Sequence, residues 1–117
     1  MKSVLKSQLI TGLKGIDNYV DKREFVIGYE PIWAIGPGKT PPGKDYILFV
    51  SKYIKEVVNE EFGLDTDVVY GGGLKEANAE MIASIDTING GLVALTTFTV
   101  PPAFEPQALK NIIDAYK

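Results

Sequence analysis

The chain contains no cysteine and no histidine. A disulfide framework and thiolate chemistry are therefore excluded. No imidazole can act as acid, base or metal ligand, so proton transfer must run on carboxylates, lysines, tyrosines and backbone donors. No metal and no cofactor is expected. Basic clusters are also missing, and the formal net charge is −3, which gives no electrostatic footprint for nucleic acid. No apolar run approaches the roughly 18 residues of a membrane span, and no signal-peptide pattern opens the chain, so a cytoplasmic location is expected.

What is present describes a packed domain. The 117 residues are 45% apolar and 23% charged, ordinary values for one globular unit with a real core. Residues Met1 to Val20 read as an amphipathic helix with Leu5, Leu9, Leu13 and Ile16 on one side. Phe25 to Tyr29 is a short apolar strand. A second helix spans Lys44 to Phe62, with Ile47, Val50, Ile54, Val57 and Val58 along one face and Gly63 as its stop. Asp67 to Tyr70 is a buried strand, and Leu74 to Ile85 a helix with Ala77, Met81, Ile82 and Ile85 inward. Leu92 to Leu95 is a continuous apolar strand, and Glu105 to Tyr116 a last helix turning Leu109, Ile112 and Ile113 inward. Apolar strands alternating with helices mark an α/β fold with a parallel, helix-covered sheet. Ligands of such sheets gather outside the carboxyl ends of the strands. The loops after Tyr29, Tyr70 and Leu95 all fall on that edge.

Two of these loops carry chemistry. The first strand stops at Glu30-Pro31, because proline has no N–H for a ladder. Beyond it, Pro31, Ile32, Trp33, Ala34, Ile35, Gly36, Pro37, Gly38, Lys39 and Thr40 form a glycine- and proline-rich loop with one bulky apolar anchor, Trp33. Glu30 reads either as a solvated boundary residue or as a general base beneath a hinged flap. The second loop is Gly71-Gly72-Gly73, between a strand and a helix. It reads either as a tight turn or as a cradle whose backbone N–H groups surround an anion.

The string Tyr29-Glu-Pro-Ile-Trp-Ala-Ile-Gly-Pro-Gly-Lys-Thr40 resembles the catalytic-lid segment of the triosephosphate isomerase family. Val69-Tyr-Gly-Gly72 with Ala77-Asn-Ala79 resembles that family's phosphate loop and following helix, and Asn89-Gly-Gly-Leu-Val93 its final strand. The resemblance covers nearly the whole chain but only the carboxyl-terminal half of the family's. It implies a single incomplete domain over residues 1–117, a partial (β/α) barrel of about three strands and four helices where the full fold has eight strands. By the same resemblance Glu30 is the base, residues 31–40 are the lid, and Gly36, Gly71, Gly72 and Gly73 hold phosphate. Ala94 and Leu95 stand where the family has a phosphate-binding glycine pair. Gly73 replaces a serine and Pro41 an alanine, and Pro41 removes an N–H that could bond Tyr70. The implied reaction is the glycolytic and gluconeogenic interconversion of dihydroxyacetone phosphate and glyceraldehyde 3-phosphate, or a close sugar phosphate, by 1,2-proton transfer. The family's asparagine, lysine and histidine belong to the part this chain does not match. Alone it is expected to be inactive, with the other half, or a second copy at its open sheet edge, as partner. The alternative is a non-catalytic phosphosugar-binding or self-associating half-barrel.

Overall fold

A computed structural model describes residues 2–15, 25–34, 39–93 and 106–116. Helix α1 is Lys2–Leu13, strand β1 Val26–Tyr29, helix α2 Lys44–Phe62 and strand β2 Asp67–Tyr70. Helix α3 (Glu76–Ala83), strand β3 (Gly90–Gly91) and helix α4 (Pro106–Ala115) follow. The sheet has the order β1-β2-β3 and both pairings are parallel. This is the α/β, partial-barrel architecture expected from the alternation of elements.

Helix α2 is the organising element. Its apolar residues recur at three and four positions, which places Ile47, Val50, Ile54, Val57 and Val58 on one buried stripe. Asp45 lies in its first turn, where the helix dipole favours negative charge. Gly63 closes it in the left-handed region at φ 65°, donating its N–H to the Asn59 carbonyl. Leu5, Leu9 and Leu13 of α1 join the same core. Buried Ser51 donates to the Ile47 carbonyl at 2.8 Å, so Thr87, 2.5 Å away, donates to it in turn.

Side chains alternate across a strand, and residues paired in parallel register share a face. Val68 and Tyr70 of β2 are fully buried in the core. Half-buried Ile27 and Tyr29, their partners in register, pack against it. Val26, Gly28, Asp67 and Val69 point the other way, toward a face that leaves Val26 54% exposed.

The structure corrects several boundaries. Helix α1 ends at Leu13, before Gly15 at φ 80°, and the remainder of the expected helix, Ile16 to Val20, lies outside the described residues. Helix α3 starts at Glu76, not Leu74. The Asn78 side chain accepts the Lys75 N–H at 2.9 Å and holds the Gly73 carbonyl at 3.0 Å, so the turn takes two more residues before the helix begins. Ala77, expected inward, is exposed, because Ala79 and Ile82 form the buried row. The third strand lies on Gly90–Gly91, ahead of the expected start at Leu92, with Ala94 and Leu95 outside the described residues: Asn89 already exchanges bonds with Val68, through its own N–H at 2.8 Å and its side-chain oxygen at 2.9 Å. On α4, Ile112 is buried while Ile113, about 100° further round, is 49% exposed.

Candidate active site

The three strands end together. Beyond the ladder proper, the Gly71 N–H donates to the Tyr29 carbonyl and the Leu92 N–H to the Tyr70 carbonyl, each at 3.0 Å. Glu30, Gly71 and Leu92 therefore sit side by side at the carboxyl edge of the sheet. A Cβ on Gly71 would lie 2.9 Å from Leu92 Cβ, 3.0 Å from Glu30 Cγ and 3.3 Å from Glu30 Cδ. The missing side chain is what lets the glutamate lie across the strand end. Glu30 is exposed, and among the described residues its carboxylate has no hydrogen-bond or ion-pair partner. A carboxylate held in this way remains open to a proton on a ligand.

The glycine turn is packed beneath the ends of the loop that follows Glu30. A Cβ on Gly72 would approach Pro31 Cδ to 2.5 Å and the Tyr70 hydroxyl to 2.7 Å. Gly73, at φ 82°, lies under the Ala34 carbonyl and the Pro41 ring, which its Cβ would meet at 2.9 and 3.2 Å. The Gly73 N–H donates to the Gly71 carbonyl at 2.9 Å, and the Tyr70 hydroxyl to the Gly72 carbonyl at 2.6 Å. Two of the three glycine N–H groups thus already have protein partners, and an anion at this turn would meet Gly72 first. Pro41 has no N–H to give the Tyr70 hydroxyl, which spends its own proton on the Gly72 carbonyl.

An aromatic row runs beside these groups. Residues Ile32–Ala34 form one 3₁₀ turn. Within it Ala34 is buried, while Trp33 is 48% exposed and meets Tyr46 of α2 edge-on, with ring centroids 5.5 Å apart. The hydroxyls of Tyr46 and Tyr29 are 2.9 Å apart, and the Tyr29 and Tyr70 rings 6.1 Å apart. Burial holds the Tyr29 and Tyr70 phenols well above their ordinary range, and the bond to Tyr46 adds to this at Tyr29. Both are neutral at physiological pH.

The family model of triosephosphate isomerase matches residues 1–111. The chain belongs to the triosephosphate isomerase family. The triosephosphate isomerase of Mycoplasma pneumoniae is 38% identical over 101 residues, covering 84% of this chain and 41% of that protein. That of Chloroherpeton thalassium is 36% identical over 95 residues, covering 79% and 37%. The chain thus spans about two-fifths of the length of these triosephosphate isomerases.

Of the residues proposed for the site, the structure brings Glu30, Pro31, Ala34 and Gly71 to Gly73 together. Ile32 and Trp33 lie on the outer side of the same turn, and Lys39 and Thr40 are exposed on the loop's return. Ile35, Gly36, Pro37, Gly38, Ala94 and Leu95 lie outside the described residues. The roles of two residues escape a reading of the sequence, although one of them stands within the Ala77-Asn-Ala79 motif. Asn78 fixes the glycine turn, and the available signal is its place five residues after Gly73, whose carbonyl it holds. Tyr46 touches both flanks of Glu30, and nothing in the periodicity of α2 marks it.

Proposed function

We propose that this chain supplies the base-bearing side of an aldose–ketose isomerase site for triose phosphates. Glu30 takes a proton from C1 of dihydroxyacetone phosphate, the C1–H electron pair forms the enediol double bond, and the C2 oxygen takes up charge or a proton. The same carboxyl then returns a proton to C2, where the enediol double-bond pair receives it, while the C1 hydroxyl gives up its proton and its O–H pair forms the C1=O bond, giving glyceraldehyde 3-phosphate. Triosephosphate isomerase is itself the established example of a glutamate base paired with a neutral imidazole under a closing loop. The observation that carries this reading is the position of Glu30: at a strand's carboxyl end, across Gly71, with its carboxylate unpartnered among the described residues.

The developing oxyanion needs donors, each worth about 2.7–4 kcal/mol in comparable sites. This chain has no histidine to offer, so the electrophile comes from a second polypeptide segment, and the chain by itself is inactive. That segment covers the open sheet face bearing Val26, and the loop after Glu30 with the glycine turn forms the phosphate side. The test mixes this chain with the amino-terminal part of a family relative, verifies a folded complex by sedimentation, and measures triose phosphate turnover. Turnover is expected, with Glu30→Gln lowering it by roughly 10²–10⁴-fold. A folded complex that binds a triose phosphate without converting it would leave the chain a phosphosugar-binding unit and remove the catalytic reading.

A further inference from the structure

Among the described residues no hydrogen bond or ion pair of its own fixes the direction of the Glu30 side chain. Its Cγ and Cδ lie over the bare backbone of Gly71. Its aim must then be set through the main chain on either side. On the amino-terminal side stands Tyr29, whose hydroxyl is bonded to that of Tyr46 at 2.9 Å. On the carboxyl-terminal side, one short turn away, Trp33 lies edge-on against the ring of Tyr46 at 5.5 Å. The same side chain, from the first turn of α2, holds both flanks.

We propose that Tyr46 is a positioning residue for Glu30, bracing the segment Tyr29 to Trp33 so that the glutamate stays over Gly71. This rests on the reading of Glu30 as the base. Two different contacts do the bracing. The hydroxyl pair fixes how far Tyr29 stands from α2, since an O–H···O bond is kept only over a narrow range of separations, about 2.5–3.0 Å. The edge-to-face contact fixes the orientation of the 3₁₀ turn, because tilted ring pairs have a preferred geometry beyond simple area burial. Tyr29 also leans on the Tyr70 ring, and the Tyr70 hydroxyl is bonded to the Gly72 carbonyl. The brace therefore continues from α2 into the turn that carries Gly71.

The experiment uses the full chain and no substrate, so its outcome is separate from the turnover test. One Gly71 Hα occupies the Cβ direction that points at Glu30 Cγ, and it should give a strong nuclear Overhauser effect to the Glu30 γ-protons. Trp33 is the only tryptophan, so acrylamide quenching reports its exposure alone. Tyr46→Leu is expected to abolish the Glu30–Gly71 effect and increase quenching of Trp33, with the chemical shifts of Val58 and Val68 unchanged. Tyr46→Phe keeps the ring, so it is expected to leave Trp33 shielded and only weaken the effect. A Tyr46→Leu chain with an intact core and a Glu30–Gly71 effect of wild-type intensity would overturn the proposal. If Tyr46→Leu does not fold, Tyr46→Phe combined with Trp33→Ala takes its place, and an undiminished effect there overturns it equally.

Discussion

The two faces of the sheet obey different constraints. On the face that joins the helix core, Val68 and Tyr70 are completely covered, and Ile54, Val58 and Ile82 lie in the same cluster. On the opposite face Val26 and Leu92 remain 54% and 41% exposed, with Gly28 between them. The helix-covered face is finished within this chain. Among the described residues the other face stays partly open, with the apolar side chains of Val26 and Leu92 in view, and the candidate site lies along its rim. Stability and chemistry are therefore separable on the reading proposed above: the covered face holds the fold together, and the bare one is where that proposal places the rest of a site.

The largest effect should come from opening the covered face. Ile54→Ala removes three carbon atoms from a side chain that is almost wholly buried, and the cavity adds to the lost transfer energy. A loss of about 2–5 kcal/mol is expected in chemical denaturation, with the slope unchanged. A smaller loss should follow from adding one carbon at the rim between the faces. In Gly72→Ala the new methyl would meet the Pro31 ring at 2.5 Å, and a proline ring cannot rotate away. Overpacking of this kind costs roughly 1–3 kcal/mol. If Gly72→Ala were neutral, the loop after Glu30 would not rest on the glycine turn.

How much of this the sequence discloses also follows the division between faces. The bounds of α2 and β2 are those that the apolar stripe, Gly63 and the run Asp67 to Tyr70 indicate, because a buried stripe and a terminal glycine are local signals. The end of β1 is legible too, since Pro31 cannot continue a ladder. The start of α3 is not: it depends on a side chain, that of Asn78, reaching back across a turn. Nor is β3, where Asn89 and Gly90 outrank the more strand-like Leu92 through pairing with β2. At the site, Glu30 can be picked out by its place before proline, but its seat on Gly71 joins two strand–loop units that no local pattern connects. Tyr46 is hidden for a related reason. Its helix position is unremarkable, and its role exists only where Tyr29 and Trp33 come to meet it.

The smallest effect on the isolated chain should come from the bare face, and there the change in context is the informative quantity. Val26→Ser alters a side chain that is more than half exposed and paired in register with Asp67. Exposed substitutions away from special features usually stay within about 0.5 kcal/mol, so the unfolding midpoint should hardly move. Once a complementary segment covers the sheet, the same valine becomes an interior residue. Full burial of such a side chain is worth roughly 1.5–3 kcal/mol, and a serine there would also bring a hydroxyl in need of a partner. Association measured by calorimetry should therefore weaken about tenfold or more, since each 1.4 kcal/mol is roughly a factor of ten. Equal affinity of the Val26→Ser chain and the unsubstituted one would mean that the partner binds elsewhere, and that the open face is simply a solvated surface of this domain.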